Sequence, residues 1–242
     1  MVSLALYGSG EFLAWSREVD QWCLDRATEP GDRVLILPTA SAPEGDAAFA
    51  KWSRMGLEHY EEQGLRPEVL DLRTRADAER VDLAAAVEGA RLLFFSGGNP
   101  GYLAETLTGT RFWRAVLAAV ADGTAIAGCS AGACILGTIV PFIEGEGITR
   151  WVDGMRLLDL AYVAPHFDVL DSYQPGLRAR MVGERPDGSV VVGLDEETAL
   201  CGDGETWDVR GNGSVWLGSD EHDLVEYRAG AQPVVRLGLN LP

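Results

Sequence analysis

Apolar residues fall in short, nearly unbroken runs at 2–7, 34–37, 92–95 and 125–128, each followed by a turn and then a helical stretch. Runs with so little polar alternation suit strands covered on both faces. Between them, at 12–27, 47–63 and 112–121, apolar residues recur at three- and four-residue spacing over lengths too great for strands. This alternation predicts crossover helices on a parallel sheet. Beyond about Gly183 the texture changes to short strand-like pieces with turn signals at Gly188, at 202–204 and at Gly211, Asn212 and Gly213, the last set between pieces at 206–209 and 215–217. These predict antiparallel strands packed on the same core. The fold class expected is α/β: a single doubly wound, mostly parallel sheet with flanking helices and antiparallel strands at the C-terminal end. The segment 141–153 shows neither period, and its Gly145, Gly147 and charges predict a loop near the site.

Length and composition narrow the picture. A chain of 242 residues with 47% hydrophobic and 24% charged content is that of an ordinary globular protein, and no repeat or linker divides it. One hydrolytic domain over 1–242 is the expectation. The formal charge of −17 repels phosphate backbones and anionic lipid, which argues against nucleic acid and membrane partners. Cys23, Cys129, Cys134 and Cys201 are scattered, as are His59, His166 and His222, so neither a disulfide framework nor a metal site is signalled. No metal and no organic cofactor is expected. The N-terminus reads as a first strand rather than a signal peptide, which makes the cytoplasm the expected compartment. The assembly is left open, with a homodimer among its forms.

Candidate chemistry concentrates around residue 130. The apolar run 125–128 leads through Cys129 into Ser130, flanked by Gly128 and Gly132 as Gly-x-Ser-x-Gly, and then into the small-residue start of a helix. A side chain thrust out on a strained strand-to-helix turn needs glycine on either side for the backbone to reverse. Ser130 fits that tip, and the backbone N–H of Ala131 could receive an oxyanion. A second turn, Gly97, Gly98 and Asn99, closes the run 92–95 at the same sheet edge, where Gly98 is the natural second donor. Serine needs a base. His166, just past the apolar stretch 157–163, is the candidate. His59 is expected on a polar helix face and His222 in an acidic turn, both as ordinary surface or packing residues. The acid is open among Glu144, Glu146, Asp168, Asp195, Glu196 and Glu197.

Ser130 with Ala131, Gly132 and Ala133, the turn at 97–99, Pro38 to Ser41 after the second run, and Pro165, His166 and Phe167 together resemble the peptidase E and cyanophycinase family of serine peptidases. The likeness runs from about Val2 to Leu200. It implies a fold like that of the class-I glutamine amidotransferases, with Ser130 as nucleophile, His166 as base, Gly98 and Ala131 as oxyanion hole, and Glu144 or Glu146 as the acid. The substrate it implies is a small peptide with an N-terminal aspartate or a β-aspartyl link, which requires a cation at the acyl site. Asn99, Arg150 and Arg178 are the substrate-binding candidates, with Arg180 beside them. Two rivals stand beside this reading. One is a general α/β-hydrolase esterase, against which the interval from 130 to 166 leaves no room for the usual further strands and lid. The other is a catalytically silent, amidotransferase-like binding or regulatory domain. A dinucleotide site at Gly8 and Gly10 fails because Leu13 replaces the third glycine.

Overall fold

The computed structural model describes residues 2–144, 147–220 and 222–241. The first half alternates as its pattern predicts: β1 (Leu4–Tyr7), α1 (Ser16–Arg26), β2 (Arg33–Leu37), α2 (Asp46–Glu61) and β3 (Arg66–Val69). Two short helices, α3 (Arg75–Ala78) and α4 (Val81–Ala85), lead to β4 (Leu92–Phe95), α5 (Pro100–Leu107), α6 (Arg111–Asp122), β5 (Ala125–Cys129) and α7 (Ala131–Cys134). Helix α1 starts four residues later than the spacing predicts. Phe12 takes a positive φ of 64°, and the Trp15 indole N–H returns to the Gly10 carbonyl at 2.8 Å, so the segment is a tight turn before it is a helix.

Strands β1, β5, β4, β2 and β3 run parallel in that spatial order. Their side chains alternate between two cores. Leu4, Leu6, Leu35, Leu37, Leu93, Phe95 and Ile126 face α5 and α6, whereas Ala5, Tyr7, Val34, Ile36, Leu92 and Phe94 face α1 and α2. With helices on both faces there is no wet side, which is why these strands read as continuous apolar runs. Each fully buried leucine, isoleucine or phenylalanine contributes about 1.5–3 kcal/mol.

The second half is more divided than its texture suggests. The segment expected to be an irregular loop is a hairpin of β6 (Ile139–Glu144) and β7 (Gly147–Asp153), with a register shift at Phe142 and Ile143. Its alternation is broken by Pro141 and by that shift, so the period of two is not visible. It lies close against α5: a Cβ on Gly101 would come within 2.5 Å of the Phe142 ring. Then follow β8 (Ala161–Ala164), α8 (Leu170–Tyr173), α9 (Leu177–Gly183), β9 (Val190–Leu194), β10 (Thr198–Gly202), β11 (Trp207–Gly211), β12 (Ser214–Gly218) and β13 (Val225–Arg228).

Strands β10 and β11 extend the main sheet antiparallel beside β1, making seven strands. Strands β12 and β9 form with β13 and β8 a second, four-stranded sheet, antiparallel except for the β8–β9 pair. The pieces on either side of the turn at 211–213 therefore part into different sheets instead of pairing. Glu197 holds that turn, its carbonyl and carboxylate accepting from Asn212 at 2.8 Å each. Val163, Val192, Leu194, Val215 and Leu217 join the second sheet to the α5–α6 side of the main core. Tyr162, Ala164 and Val191 on its other face support α8 and α9. His59 is not on a polar face: it is buried in α2, with Nε2 2.6 Å from Asp20. Among the described residues no helix is long and apolar enough to cross a membrane.

Candidate active site

The carboxyl ends of β1, β4 and β5 in the main sheet and of β8 and β9 in the second sheet converge on one place. Ser130 stands at the end of β5 with φ 51° and ψ −111°, a conformation that costs a non-glycine residue about 1–3 kcal/mol. It is held by its neighbours: its N–H donates to the Tyr7 carbonyl at 3.0 Å, and its carbonyl accepts from Cys134 N–H at 2.9 Å. The flanking glycines are demanded by space. A Cβ on Gly128 would meet the Gly132 carbonyl oxygen at 2.2 Å, and one on Gly132 would meet the Phe95 carbonyl oxygen at 2.0 Å.

The Ser130 hydroxyl lies 2.9 Å from Nε2 of His166, and Nδ1 of His166 lies 3.1 Å from Oε1 of Glu196. A carboxylate oxygen can only accept here, so the ring proton belongs on Nδ1 and Nε2 is free to accept from the serine. His166 follows β8 and has a positive φ of 55°. Phe167 N–H, donating to Leu194 O at 2.9 Å, ties that turn to the end of β9. Glu196 is positioned in turn by Asp168, which accepts its N–H at 2.9 Å, and by Thr198, which donates to its carbonyl at 3.0 Å.

Among the described residues the carboxylate beside His166 is Glu196, whereas the resemblance favours Glu144 or Glu146. Glu144 is exposed at the end of β6, in the field of Arg150, and Glu146 lies outside the described residues. The other carboxylates of the open set have separate tasks. Asp195 accepts from Ser214 N–H at 2.9 Å and the Trp216 indole at 3.0 Å, and burial raises its pKa. Glu197 holds the 211–213 turn. Three adjacent carboxylates past the end of β9 were the only signal for Glu196, and sequence alone does not say which one turns toward the histidine.

Gly98 and Ala131 both border the space in front of Ser130, and neither N–H donates to an acceptor among the described residues. Gly98 has φ 140°, and a Cβ there would lie 2.4 Å from the Ala40 carbonyl. The neighbouring Gly97 N–H donates to Oε1 of Glu11 at 2.9 Å, and the other oxygen of that buried carboxylate accepts from Cys129 Sγ at 2.9 Å. Sequence reasoning did not single out Glu11. Burial first, and Glu11 second, push the Cys129 thiol well above its ordinary range, so it stays a protonated donor behind the serine.

The substrate-binding candidates lie elsewhere. Asn99 caps α5, its Oδ1 accepting from Tyr102 N–H at 3.1 Å, and its Nδ2 donates to Ile143 O at 2.6 Å, so it fastens the hairpin beside the site. Arg150 pairs with Glu105 at 2.6 Å and lies 3.9 Å over the Phe142 ring. Arg178 stacks on Phe167 and Trp216, 4.3 and 4.7 Å from their ring centres, and Arg180 pairs with Glu184 at 2.9 Å. None of the four lines the cavity of about 360 Å³ that opens on Ser130 and His166.

Comparison with known proteins places the chain among peptidases. Residues 4–210 match the family model for peptidase family S51. A cyanophycinase of Trichormus variabilis is 28% identical over 224 residues, covering 89% of this chain and 72% of that protein. An uncharacterised peptidase of Listeria monocytogenes is 26% identical over 57% of this chain and 67% of its own length. Among solved structures, a peptidase from an acI-B1 Actinobacterium superposes with a TM-score of 0.87 at 29% identity, covering 97% of each chain. A peptidase E-like protein of Listeria monocytogenes EGD-e shares the fold, with a TM-score of 0.63 at 20% identity over 88% of this chain and 99% of that one.

Proposed function

The chain belongs to peptidase family S51 and is a serine-type peptidase, and from that premise we propose that it hydrolyses small peptides through an acyl-enzyme on Ser130. The observation that carries the reading is the unbroken relay from Glu196 through His166 to Ser130, at 3.1 and 2.9 Å. In the first half-reaction the Ser130 oxygen attacks the scissile carbonyl while Nε2 of His166 takes its proton. The carbonyl oxygen becomes an oxyanion and accepts from the N–H groups of Gly98 and Ala131, donors that are fixed before the substrate arrives. Collapse expels the amine, which leaves with the proton held on Nε2. In the second half-reaction His166 takes a proton from water as the water oxygen attacks the ester carbonyl. Collapse breaks the bond to Ser130, whose oxygen takes the proton back from Nε2 as the carboxylic product leaves. Glu196 keeps the ring in the productive tautomer and stabilises the imidazolium.

An aspartyl or β-aspartyl substrate would need a cation beside the acyl group. Arg150 and Arg178 are engaged with Glu105 and with aromatic faces and do not supply it. A silent binding domain would have no use for a strained serine aligned with a histidine.

The test is mass-spectrometric labelling with a fluorophosphonate. We expect an adduct on Ser130 in the native chain, none in Ser130→Ala, and labelling slowed on the order of 100-fold or more in His166→Ala. A folded native chain that takes no adduct returns the reading to the binding domain.

A further inference from the structure

A scissile carbonyl seated between Ser130, Gly98, Ala131 and His166 carries the side chain of its own residue into the same cavity, because that side chain branches from the adjacent carbon. The cavity, about 360 Å³, is in the range of roughly 300–1,000 Å³ usual for small-ligand sites. Its walls are apolar: Pro100, Pro141, Ile143 and Ile148 from α5 and the hairpin, and Leu177 and Met181 from α9. Cys134 adds a thiol that burial pushes up to about 12, a neutral group. The further polar side chains are Tyr173, whose hydroxyl is raised by burial and then by Glu196 and Asp168, and the amide of Gln174. Every lysine and arginine of the chain is among the described residues, and none lines this space.

An α-aspartyl residue would bring its side-chain carboxylate into these walls, and a β-aspartyl link would bring its α-carboxylate. Either anion would lose water without gaining a cation, with the carboxylates of Asp168 and Glu196 on the histidine side. A branched or aromatic side chain would instead exchange water for apolar wall.

We infer that the peptidase selects an apolar, uncharged residue of the leucine, methionine or phenylalanine class at the position whose carbonyl is attacked. The inference rests on Ser130 being the nucleophile, and its test separates the two. Diphenyl aminoalkylphosphonates carrying leucine, phenylalanine or aspartate side chains react when the serine oxygen displaces one phenoxide, which leaves as phenol with the hydroxyl proton. The rate of adduct formation on Ser130 thus reads the acyl pocket without reference to a leaving peptide. The leucine and phenylalanine probes should label about 30-fold faster than the aspartate probe, the factor corresponding to burial of one such side chain.

Equal rates, a faster aspartate probe, or no phosphonate adduct on a serine that a fluorophosphonate does label would each overturn the inference while leaving the nucleophile in place. Failure of the fluorophosphonate as well would overturn both. Leu177→Arg supplies the missing cation at the wall and should move the leucine-to-aspartate ratio at least tenfold toward aspartate. Because both rates come from one preparation, folding yield cancels, and an unchanged ratio would overturn the placement of the side chain.

Discussion

Among the described residues are two assemblies of serine, histidine and carboxylate, and only one of them opens on a cavity. In the first, His59 on α2 meets Asp20 at 2.6 Å and Ser16 at 3.5 Å, and the hydroxyls of Tyr7 and Tyr60 donate to the other oxygen of Asp20 at 2.8 and 3.1 Å. In the second, His166 joins Ser130 to Glu196. The residue types match, but the addresses do not. Ser16 and Asp20 compete for the same ring nitrogen of His59, whereas Ser130 and Glu196 occupy opposite nitrogens of His166, so that a proton accepted on one is answered by a carboxylate on the other. Access differs as well. The side chains of His59 and Asp20 are 2% and 1% exposed, while His166 is 26% exposed and faces a cavity. Burial and Asp20 push both tyrosine hydroxyls well above their ordinary range, which keeps them as donors and the first assembly as a sealed brace. An inventory of residue types does not make a site; each group needs its own nitrogen and a route to substrate.

The largest effect that would sharpen this contrast is at Glu196. Glu196→Gln should lower the rate of Ser130 labelling by roughly 10²–10⁴-fold, since an amide at Nδ1 no longer enforces the tautomer. Glu144→Gln should leave that rate within about twofold, and the reverse ranking would return the acid to the hairpin. Next is Asp20→Ala, which strips three donors of their buried acceptor. Urea unfolding should show a loss of about 3–5 kcal/mol, with the labelling rate per folded molecule within about threefold of the native chain. A rate that collapses while the fold persists would break the division between brace and site. The smallest effect is at Glu11, a positioning residue between Gly97 N–H and Cys129. Glu11→Gln keeps the shape and weakens the grip on the loop that carries Gly98, so labelling should slow by about tenfold. Its dependence on pH should keep the native midpoint, which a change acting through His166 would move.

The strand-to-helix turn at Ser130 and the main sheet were legible because their causes are local. Strands β4 and β5 are covered on both faces and so read as apolar runs, and the glycines beside Ser130 are required by contacts within the turn and at the end of the neighbouring strand. His166 stood out as the histidine after an apolar stretch. Which carboxylate meets His166 was not legible. Asp195, Glu196 and Glu197 are adjacent in sequence yet turn to Trp216, to His166 and to Asn212, because the chain there leaves the second sheet for the first and each residue meets a different neighbour. The hairpin was read as a loop because Pro141 and the shift at Phe142 and Ile143 interrupt its alternation. The pocket arginines were misplaced because charge in a sequence carries no direction: Arg150 and Arg178 found carboxylate and aromatic partners nearer than the cavity.

The division of the site between two sheets also bears on when the site can form. Ser130, Gly98 and Glu11 lie in the turns that follow β5, β4 and β1 of the seven-stranded sheet, whereas His166 and Glu196 follow β8 and β9 of the four-stranded one. The contact between Ser130 and His166 therefore depends on the packing of the two sheets against each other. During refolding, recovery of backbone structure should outrun recovery of a reactive serine, and on warming the serine should fall silent while most of the secondary structure survives. The hydrogen bond between Ser130 and His166 would in this sense report that the two sheets have docked.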